Sequence, residues 1–395
     1  MAEQKSGQTR YSRCDQVADQ IQARIKSGLY PPGAYMPGER DLAADLGVSR
    51  ATVAGALTRL AQKGLVLQTR GRGTRVLALS DRLATGLVGV VVRFKPTGVS
   101  REPANILAGI RSAMARLNLN HEEVLLLNGG QDESAGWQHS VPSGELQRLA
   151  DRYGGLVFIE SSPREAGQLL ALQAQGIPVV VANMEWDWDA AISATRTDHR
   201  KAMFQAVRTL AALGHRRIGY VGRPRNRCFY GHSEDGWRDG LADAGLDVDP
   251  ALLRHCGDSE AVGGFLAAWE MLALPHPPTA IVTARDLFAE GVCEAVKERG
   301  AVLGRDVSVV GFDDVSWPDG RAFLTTFREP CEEMGAAAVQ MLADRIADPS
   351  LPAEDRVIEA KLVLRRSAGP PPGDGPGVDA GAVCAQIAAI EPPVR

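Results

Sequence analysis

The polar tetrapeptide at positions 49–52, Ser-Arg-Ala-Thr, carries side chains that can bind nucleic acid. The Arg50 guanidinium can bond a guanine edge or a phosphate, and the hydroxyl groups of Ser49 and Thr52 can bond either group. A second basic segment, Arg-Gly-Arg-Gly at positions 70–73, places two arginines on a glycine-rich tip that can approach a phosphate backbone or a minor groove. Both segments therefore predict contacts with a polyanion.

Short helices and a hairpin must position these two segments. Apolar residues recur at every fourth position within 14–27, which predicts an amphipathic helix, and a second short helix is predicted over 39–46. Gly47 allows a tight turn, and Ser49 caps a third helix that ends near Lys63. β-Like runs on both sides of the Arg-Gly-Arg-Gly segment predict a two-stranded hairpin. This order indicates a helix-turn-helix, in which the polar start of the third helix enters the major groove of DNA.

The charge of the chain is divided unevenly along its length. Residues 1–80 hold 12 of the 44 Lys and Arg side chains but only 6 of the 48 Asp and Glu side chains. The remaining chain is therefore acidic, and only the N-terminal end is suited to a polyanion. A small helical protein-binding domain is the alternative interpretation of this end.

Apolar runs and helix-like segments alternate along the rest of the chain. The runs are GLVGVVV, EVLLL, GLVFI, IPVVV, RIGYV, TAIVT and VSVVGF. Continuous apolar strands that alternate with helices are typical of a parallel sheet covered on both faces. We therefore predict an α/β fold with two doubly wound lobes, with crossings between the lobes near 183–198 and 312–330 and a last strand over 356–364. Because ligands of open α/β sheets bind beyond the carboxyl ends of the strands, a ligand site is expected between the lobes.

Several function classes lack the motifs they require. The six cysteines form no CxxC pair and the seven histidines form no pair with metal-ligand spacing, so we expect no metal and no cofactor. No GxSxG, P-loop or HExxH motif occurs, so we expect no enzyme. The chain has no run of about 18 apolar residues, and MAEQKSGQTR has no apolar segment. We therefore expect a cytoplasmic, nucleoid-associated protein without membrane contact.

The N-terminal segment resembles a known family. The stretch YMPGERDLAADLGVSRATVAGALTRLAQKGLVLQTRGRGTRV resembles the winged helix-turn-helix head of the GntR family of bacterial transcription regulators, and the match covers 12–78. The family typically has Arg or Ser directly after the Thr-Val pair, where this chain has Ala54, so one DNA contact is missing. Arg40 could also pair with Asp41 or Asp45. The resemblance implies DNA contacts from Arg40, Ser49, Arg50, Thr52, Arg70, Gly71, Arg72 and Thr74.

The remaining chain, over 86–366, resembles the ligand-binding core of the LacI family, which is akin to periplasmic sugar-binding proteins. The stretches NILAGIRSAM, GIPVVVAN, LAALGHRRIGYVG, PTAIVTARD and DVSVVGFDDVSW carry this resemblance. It implies a type I periplasmic-binding-protein-like fold, and a GntR head on such a core resembles the arabinose-repressor type of regulator. The resemblance places effector contacts at Asn183, Arg285, Asp286 and Asp313. Arg227 is a candidate contact from the adjacent loop, and Phe94 and Trp317 are candidates for stacking on an apolar face of the ligand.

Some of these positions depart from the family pattern or allow a plainer role. Arg285 stands where members usually have Asn, and an arginine in the cleft favours an anionic or carboxylate-bearing ligand. The usual effector-binding arginine upstream of the Gly-Trp pair is missing, and Arg225 or Arg227 could substitute for it. Asp313 could be only a loop or helix-capping carboxylate, and Phe94 could be only a core residue.

Together these features predict a ligand-responsive transcriptional regulator, and more specifically a repressor of carbohydrate-related genes. It would bind double-stranded operator DNA as a homodimer. A small polar effector (a sugar, a sugar acid or a sugar phosphate) would release it from, or drive it to, its operator. The alternatives are a solute-binding receptor and a carbohydrate enzyme. The predicted units are a disordered N-terminus over 1–11, a DNA-binding domain over 12–78, a linker over 79–86, an effector-binding and dimerisation domain over 87–366, and a disordered tail over 367–395.

Overall fold

A computed structural model describes most of the chain. The described residues are 13–31, 33–62, 65–69, 71–77, 87–94, 102–127, 143–161, 163–184, 192–225, 230–257, 259–315 and 322–373. The predictions of disordered ends over 1–11 and 374–395 and of a linker over 79–86 lie outside these residues.

The N-terminal part, which we call the head, consists of three helices and a hairpin. Its elements are α1 (Arg13–Lys26), α2 (Glu39–Leu46), α3 (Arg50–Gln62), β1 (Val66–Thr69) and β2 (Gly73–Val76). The strands pair antiparallel, and Met36 N–H donates to the Thr74 carbonyl at 2.8 Å, so the chain before α2 lines the open edge of β2. Apolar side chains from all three helices and from both strands form one small core.

Two glycines of the head have specific roles. Gly47 ends α2 with a left-handed backbone (φ 63°), a conformation that favours glycine and lets α3 leave at a steep angle. Gly55 lies where α3 packs on α1, because a Cβ atom added there would be 3.1 Å from Cys14 Sγ. Gly55 is therefore explained by the close approach of the two helices, which the sequence did not indicate.

The rest of the described chain, which we call the body, has two lobes. The strands of the first lobe are β3 (Leu87–Phe94), β4 (Asn120–Leu127), β5 (Gly155–Ile159), β6 (Val179–Ala182), β7 (Ser193–Thr197) and β13 (Asp355–Ile358). They form one parallel sheet in the order β13-β7-β6-β5-β3-β4. Its helices are α4 (Glu102–Arg116), α5 (Ser143–Arg152), α6 (Ala166–Ala174) and α11 (Cys331–Ala347). Separate apolar cores place α4 and α11 on one face of the sheet and α5 and α6 on the other.

The second lobe repeats this plan with fewer strands. Its sheet is parallel in the order β11-β10-β8-β9. The strands are β8 (Ile218–Gly222), β9 (Leu253–His255), β10 (Ala280–Thr283) and β11 (Ser308–Val310). The helices are α7 (His199–Ala212), α8 (Tyr230–Asp243), α9 (Glu260–Met271) and α10 (Asp286–Glu298). The predicted two-lobed, doubly wound architecture is confirmed, because both sheets are parallel and helix-covered.

The described residues contain three places where the chain crosses between the lobes. The first crossing lies between β7 and α7, and the second, which we call the return crossing, lies between β12 (Thr326–Arg328) and α11. The third lies between β13 and β14 (Lys361–Val363), where β14 pairs antiparallel with β12. The single strand predicted over 356–364 is therefore two strands with a crossing between them. The predicted lobe break near 183–198 also contains a strand, β7, which lies between β13 and β6 in the first sheet.

The described chain continues past the predicted end of the body. Ser367 is buried, and its hydroxyl donates to the Val309 carbonyl at 2.6 Å and accepts from the Thr325 N–H at 2.7 Å. The Gly369 carbonyl bonds the buried His215 ring at 2.8 Å. The prediction of a disordered tail from residue 367 was therefore wrong for 367–373, because a hydrogen-bonded serine holds this segment against the second lobe.

Candidate DNA-binding surface and interlobe site

The start of α3 is fixed by a local cap. Ser49 Oγ accepts the Thr52 N–H at 3.1 Å, and the Ser49 and Thr52 hydroxyl oxygens are 2.8 Å apart. The cap satisfies one of the free N–H groups that begin every helix. The two hydroxyls predicted to contact DNA therefore also bond each other, so one role of Ser49 is to set the geometry of the exposed helix start.

Three predicted DNA-binding arginines project into solvent. Arg40, Arg50 and Arg72 are exposed, and none forms an ion pair with another residue in the described part of the chain. Asp45, one alternative partner of Arg40, pairs with Arg24 instead. These guanidinium groups can therefore bind phosphate or base edges without breaking an existing ion pair.

The tip of the hairpin fits only part of its predicted role. Gly71 (φ 79°) and Gly73 (φ 95°) are left-handed and exposed, which makes the tip thin. Thr74 is only 8 % exposed, and its side chain faces the head core. The prediction that Thr74 contacts DNA is corrected, because strand alternation turns this residue inward. Arg70 lies outside the described residues.

In the body, two neighbouring strands of the first lobe end in buried polar residues. Asn183 follows β6 with a left-handed backbone (φ 63°), and Glu160 follows β5 with the same conformation (φ 60°). Because Ile159 is paired with Ala182, these two residues lie side by side at the carboxyl edge of the sheet. Non-glycine residues in this conformation often cluster at ligand sites. Sequence reasoning missed Glu160, although it directly follows a buried apolar strand.

Asn183 is the predicted effector residue with unused hydrogen-bonding capacity. It is 2 % exposed, and its backbone N–H donates to Thr195 Oγ1 at 3.3 Å. Its Nδ2 is buried and has no hydrogen-bond partner among the residues the structure describes. A buried amide donor without a partner is unfavourable, so this position is suited to a ligand that supplies an acceptor.

In the second lobe, two predicted effector residues form an ion pair with each other. Arg285 Nε donates to Asp313 Oδ2 at 3.0 Å, and the side chains are 14 % and 4 % exposed. Asp313 belongs to the segment 311–315, which we call the effector loop, and its backbone is left-handed (φ 121°). The positive charge that favoured an anionic ligand is therefore balanced by Asp313 within the site.

Asp286 has an internal role rather than the predicted contact with effector. It is 1 % exposed, and its two carboxylate oxygens accept the Thr326 hydroxyl at 2.7 Å and the Val315 N–H at 2.9 Å. Burial raises the pKa of the Asp286 carboxyl group to about 7. The predicted effector contact is corrected, because both oxygens face the protein interior.

Other charged residues near the site are occupied. Asp314 accepts bonds of 2.6 Å from both Arg328 and Arg365, as expected of a loop carboxylate. Arg225, a suggested substitute for the missing family arginine, pairs with Asp235 at 2.8 Å and lies 3.4 Å from Glu234. The side chain of Phe94, and residues Arg227 and Trp317, lie outside what the structure describes.

His199, which sequence reasoning did not single out, packs against the effector loop. It begins α7 at the first crossing, and its ring centroid lies 4.6 Å from that of Phe312 in the effector loop. Burial, together with the nearby positive charge of Arg285, holds the pKa of His199 well below its usual value. His199 is therefore neutral at neutral pH and does not add charge to the cleft.

A cavity of about 540 Å³ opens where both lobes meet the effector loop. Asn105 from α4 and Cys331 from α11 line it on the first-lobe side, and Asp313 and Asp314 line it on the second-lobe side. Glu329 of the return crossing completes the wall. Its volume is in the range typical of small-molecule sites.

Within the described residues, no group of three or more His, Cys, Asp or Glu side chains is placed to hold a metal ion. No described helix is long and apolar enough to cross a membrane.

A winged helix-turn-helix joined to a two-lobed body with an interlobe cavity defines a class of DNA-binding regulators. Residues 13–76 match the family model of bacterial regulatory proteins, gntR family, and residues 207–368 match the periplasmic binding protein-like domain. The chain is 30 % identical over 357 residues to an HTH-type transcriptional regulator from the aml 5′ region of Streptomyces limosus, covering 84 % of this chain and 94 % of that protein. It belongs to the HTH-type transcriptional regulators, with a GntR-type head.

Two further comparisons agree with this assignment. The HTH-type transcriptional regulator AglR of Rhizobium meliloti is 27 % identical over 349 residues, covering 85 % of this chain and 96 % of the relative. A regulatory protein of the LacI family from Chloroflexus aggregans superposes with a TM-score of 0.60 at 22 % identity. The superposition covers 72 % of this chain and 99 % of that chain. At this identity the comparison supports only the fold of the body.

Proposed function

We propose that this regulator is an effector-responsive repressor that binds operator DNA through the start of α3. The observation that carries the proposal is the combination of an exposed Arg50 at that helix start, which forms no ion pair with a described residue, and a cavity bounded by both lobes of the body. The head then supplies DNA contacts, and the body supplies the response to a small molecule. Residues 12–78 would form the DNA-binding unit, joined through 79–86 to the body.

The proposed effector is a sugar or a similar polyhydroxylated molecule. The Asp313 carboxylate can accept hydrogen bonds from ligand hydroxyl groups, and the buried Asn183 amide nitrogen can donate a hydrogen bond to a ligand oxygen. Because Asp313 already balances the charge of Arg285, the described side of the site favours a neutral sugar over a sugar acid or a sugar phosphate. This proposal differs from the preference for anionic ligands that the sequence alone suggested.

We propose that two copies associate through an apolar stripe on α9. Val262, Leu266 and Trp269 are 58 %, 54 % and 40 % exposed and follow helical spacing on one face. Trp269 stacks on Phe265 with ring centroids 5.8 Å apart, and the Arg299 guanidinium carbon lies 3.9 Å from the Trp269 ring centroid. An isologous dimer would bury this stripe and present two heads to the two halves of a pseudo-palindromic operator.

Coupling between effector and operator would use closure of the lobes around the three crossings. A ligand shifts such an equilibrium only by its differential affinity for the two states, and full switching takes about 5.5 kcal/mol. We further propose that the protein acts in the cytoplasm, on the nucleoid, and has no enzymatic activity of its own, as its membership of a regulator family supports.

Duplexes selected from a random-sequence pool by the full-length chain would provide the operator for a test. Fluorescence anisotropy on the selected duplex is then followed while neutral sugars, sugar acids and sugar phosphates are added one at a time. We expect release, or strengthened binding, with a neutral sugar. If no duplex is enriched, the operator-binding proposal fails. If only anionic compounds change DNA affinity, the assignment of the effector class fails.

A further inference from the structure

The hairpin tip that carries Arg72 has high intrinsic backbone freedom. Gly71 and Gly73 flank Arg72, and both have left-handed backbones (φ 79° and 95°). Glycine loses more conformational freedom on ordering than any other residue. The Arg72 N–H donates to the Thr69 carbonyl at 3.0 Å, which closes the turn at the tip. A tip of this composition gains further order from whatever packs against it.

The chain before α2 supports the hairpin along the open edge of β2. The Val76 N–H donates to the Ala34 carbonyl at 2.9 Å, and Tyr35 and Arg75 form an antiparallel bridge. The segment 33–36 is therefore a short third strand, and it runs beside β2 in the direction of the tip.

The Tyr35 ring lies over the glycine at the base of the tip. Tyr35 is opposite Arg75, so Gly73 is its diagonal neighbour on the same face of the sheet, within reach of an aromatic side chain. A Cβ atom added at Gly73 would lie 3.9 Å from Tyr35 Cδ1. Aromatic side chains that cover a glycine on a neighbouring strand help to fix strand register. The ring therefore covers the side of Gly73 on which other residues carry a side chain.

The packing of the head core does not explain an aromatic residue at this position. Tyr35 is 55 % exposed, whereas its neighbour Met36, which belongs to the head core, is 6 % exposed. Leu67 is also exposed, at 47 %, but it lies opposite Arg75 on β1, on the far side of β2 from Tyr35. The Tyr35 ring is thus placed to act on the hairpin tip rather than on the core.

We propose that Tyr35 is a positioning residue for DNA binding, because its ring holds the hairpin tip in the conformation in which Arg72 contacts DNA. A loop that is already rigid in its bound conformation binds more strongly, because less conformational entropy is lost when the complex forms. The proposal rests on the proposed operator binding of the head. It requires no contact between the Tyr35 hydroxyl group and DNA.

The test uses the full-length chain and the selected duplex, with DNA affinity measured by fluorescence anisotropy. Tyr35→Ala removes the ring, Tyr35→Phe removes only the hydroxyl group, and Leu67→Ala is the matched control on the same face of the sheet. Arg72→Ala is measured alone and combined with Tyr35→Ala. In parallel, hydrogen exchange over residues 71–76 of the DNA-free chain is followed by mass spectrometry.

Tyr35→Ala should weaken DNA binding by about two- to tenfold, whereas Tyr35→Phe and Leu67→Ala should bind DNA as wild type does. Exchange over residues 71–76 should be faster in Tyr35→Ala than in wild type or Tyr35→Phe. In the Arg72→Ala background, Tyr35→Ala should have little further effect, because the side chain that it positions is gone. A general loss of head stability would instead lower DNA affinity equally in both backgrounds.

Equal losses of affinity in Tyr35→Phe and Tyr35→Ala would overturn the proposal, because the hydroxyl group would then contact DNA itself. Additive effects of Tyr35→Ala and Arg72→Ala would overturn it as well. If no duplex is enriched, operator binding fails separately, and the exchange measurement still decides whether Tyr35 holds the tip. Unchanged exchange over residues 71–76 in Tyr35→Ala would show that it does not.

Discussion

Arg50 at the start of α3 and Arg72 on the hairpin tip are exposed and form no ion pairs with the described residues, whereas Arg285 of the body is nearly buried and bonded to Asp313. The difference matches what each part is expected to bind. DNA is a large polyanion that meets a convex surface, so exposed, unpaired cations suffice. A small molecule inside a cleft needs a site whose charges are already balanced, because an unpaired buried charge is costly. The predictions below test this contrast, from the largest expected effect to the smallest.

The largest effect is expected from breaking the buried pair of the body. Asp313→Ala leaves the Arg285 guanidinium without its described carboxylate partner, and we expect a loss of about 3–5 kcal/mol in the free energy of unfolding. Urea unfolding of the full-length chain measures this loss of free energy. Asp247→Ala, which removes an exposed carboxylate, should stay within about 0.5 kcal/mol of wild type. An equally small change for Asp313→Ala would show that the pair is not a structural requirement.

The corresponding change in the head should leave stability intact. Arg50→Ala removes an exposed side chain, and we expect it to weaken operator binding by about 1–3 kcal/mol, or roughly tenfold or more. Fluorescence anisotropy on the selected duplex measures the affinity, and urea unfolding checks that the fold is unchanged. Arg116→Ala, another exposed arginine, on α4 in the body, is the control and should not alter DNA affinity. Normal affinity of Arg50→Ala would contradict the role of α3.

A smaller effect on stability is expected at the cap of α3. Ser49→Ala removes the acceptor of the Thr52 N–H, which costs about 1 kcal/mol in helices of this kind. Circular dichroism during urea unfolding measures the change. Ser49→Thr keeps a hydroxyl at the cap and should recover most of the loss. If both variants are equally stable, the Ser49 hydroxyl does not stabilise the start of α3.

The smallest effect concerns the packing of α1 on α3. Gly55→Ala should gain helix propensity, but its Cβ meets Cys14 Sγ at 3.1 Å, so we expect little net change. In a Cys14→Ala background the contact is relieved, and the same substitution should stabilise the head by about 0.5–1 kcal/mol. Thermal unfolding of wild type, Gly55→Ala, Cys14→Ala and the double variant completes a double-mutant cycle. Equal effects in both backgrounds would show that Gly55 is not required by packing.

The head could be predicted from the sequence more completely than the body, for a physical reason. Most of its proposed DNA-binding residues lie in two short segments, and local rules of capping, turn formation and periodicity apply to them directly. The exception is Thr74, which the alternation of β2 turns towards the head core. This rule is also local, and applying it to residues 73–76 would have indicated the burial of Thr74.

In the body, the strand ends could be predicted but the pairing of their side chains could not. The apolar runs located most of the strands, and with them Asn183 and Asp313 at the carboxyl edges. Arg285 and Asp313 are 28 positions apart, and their bond depends on how the effector loop folds back over α10. The burial of Asp286 depends on the same loop. The short strands β13 and β14 were joined in the prediction because the crossing between them has no glycine or proline to mark it.

Footprinting on the selected duplex tests the central claim most directly. Wild-type chain should protect two half-sites whose centres are about 10 base pairs, or a multiple of that spacing, apart. Arg50→Ala at the same concentration should leave both half-sites unprotected, while its body unfolds as in wild type. The same double footprint from Arg50→Ala would contradict the assignment of the α3 start as the DNA-binding element.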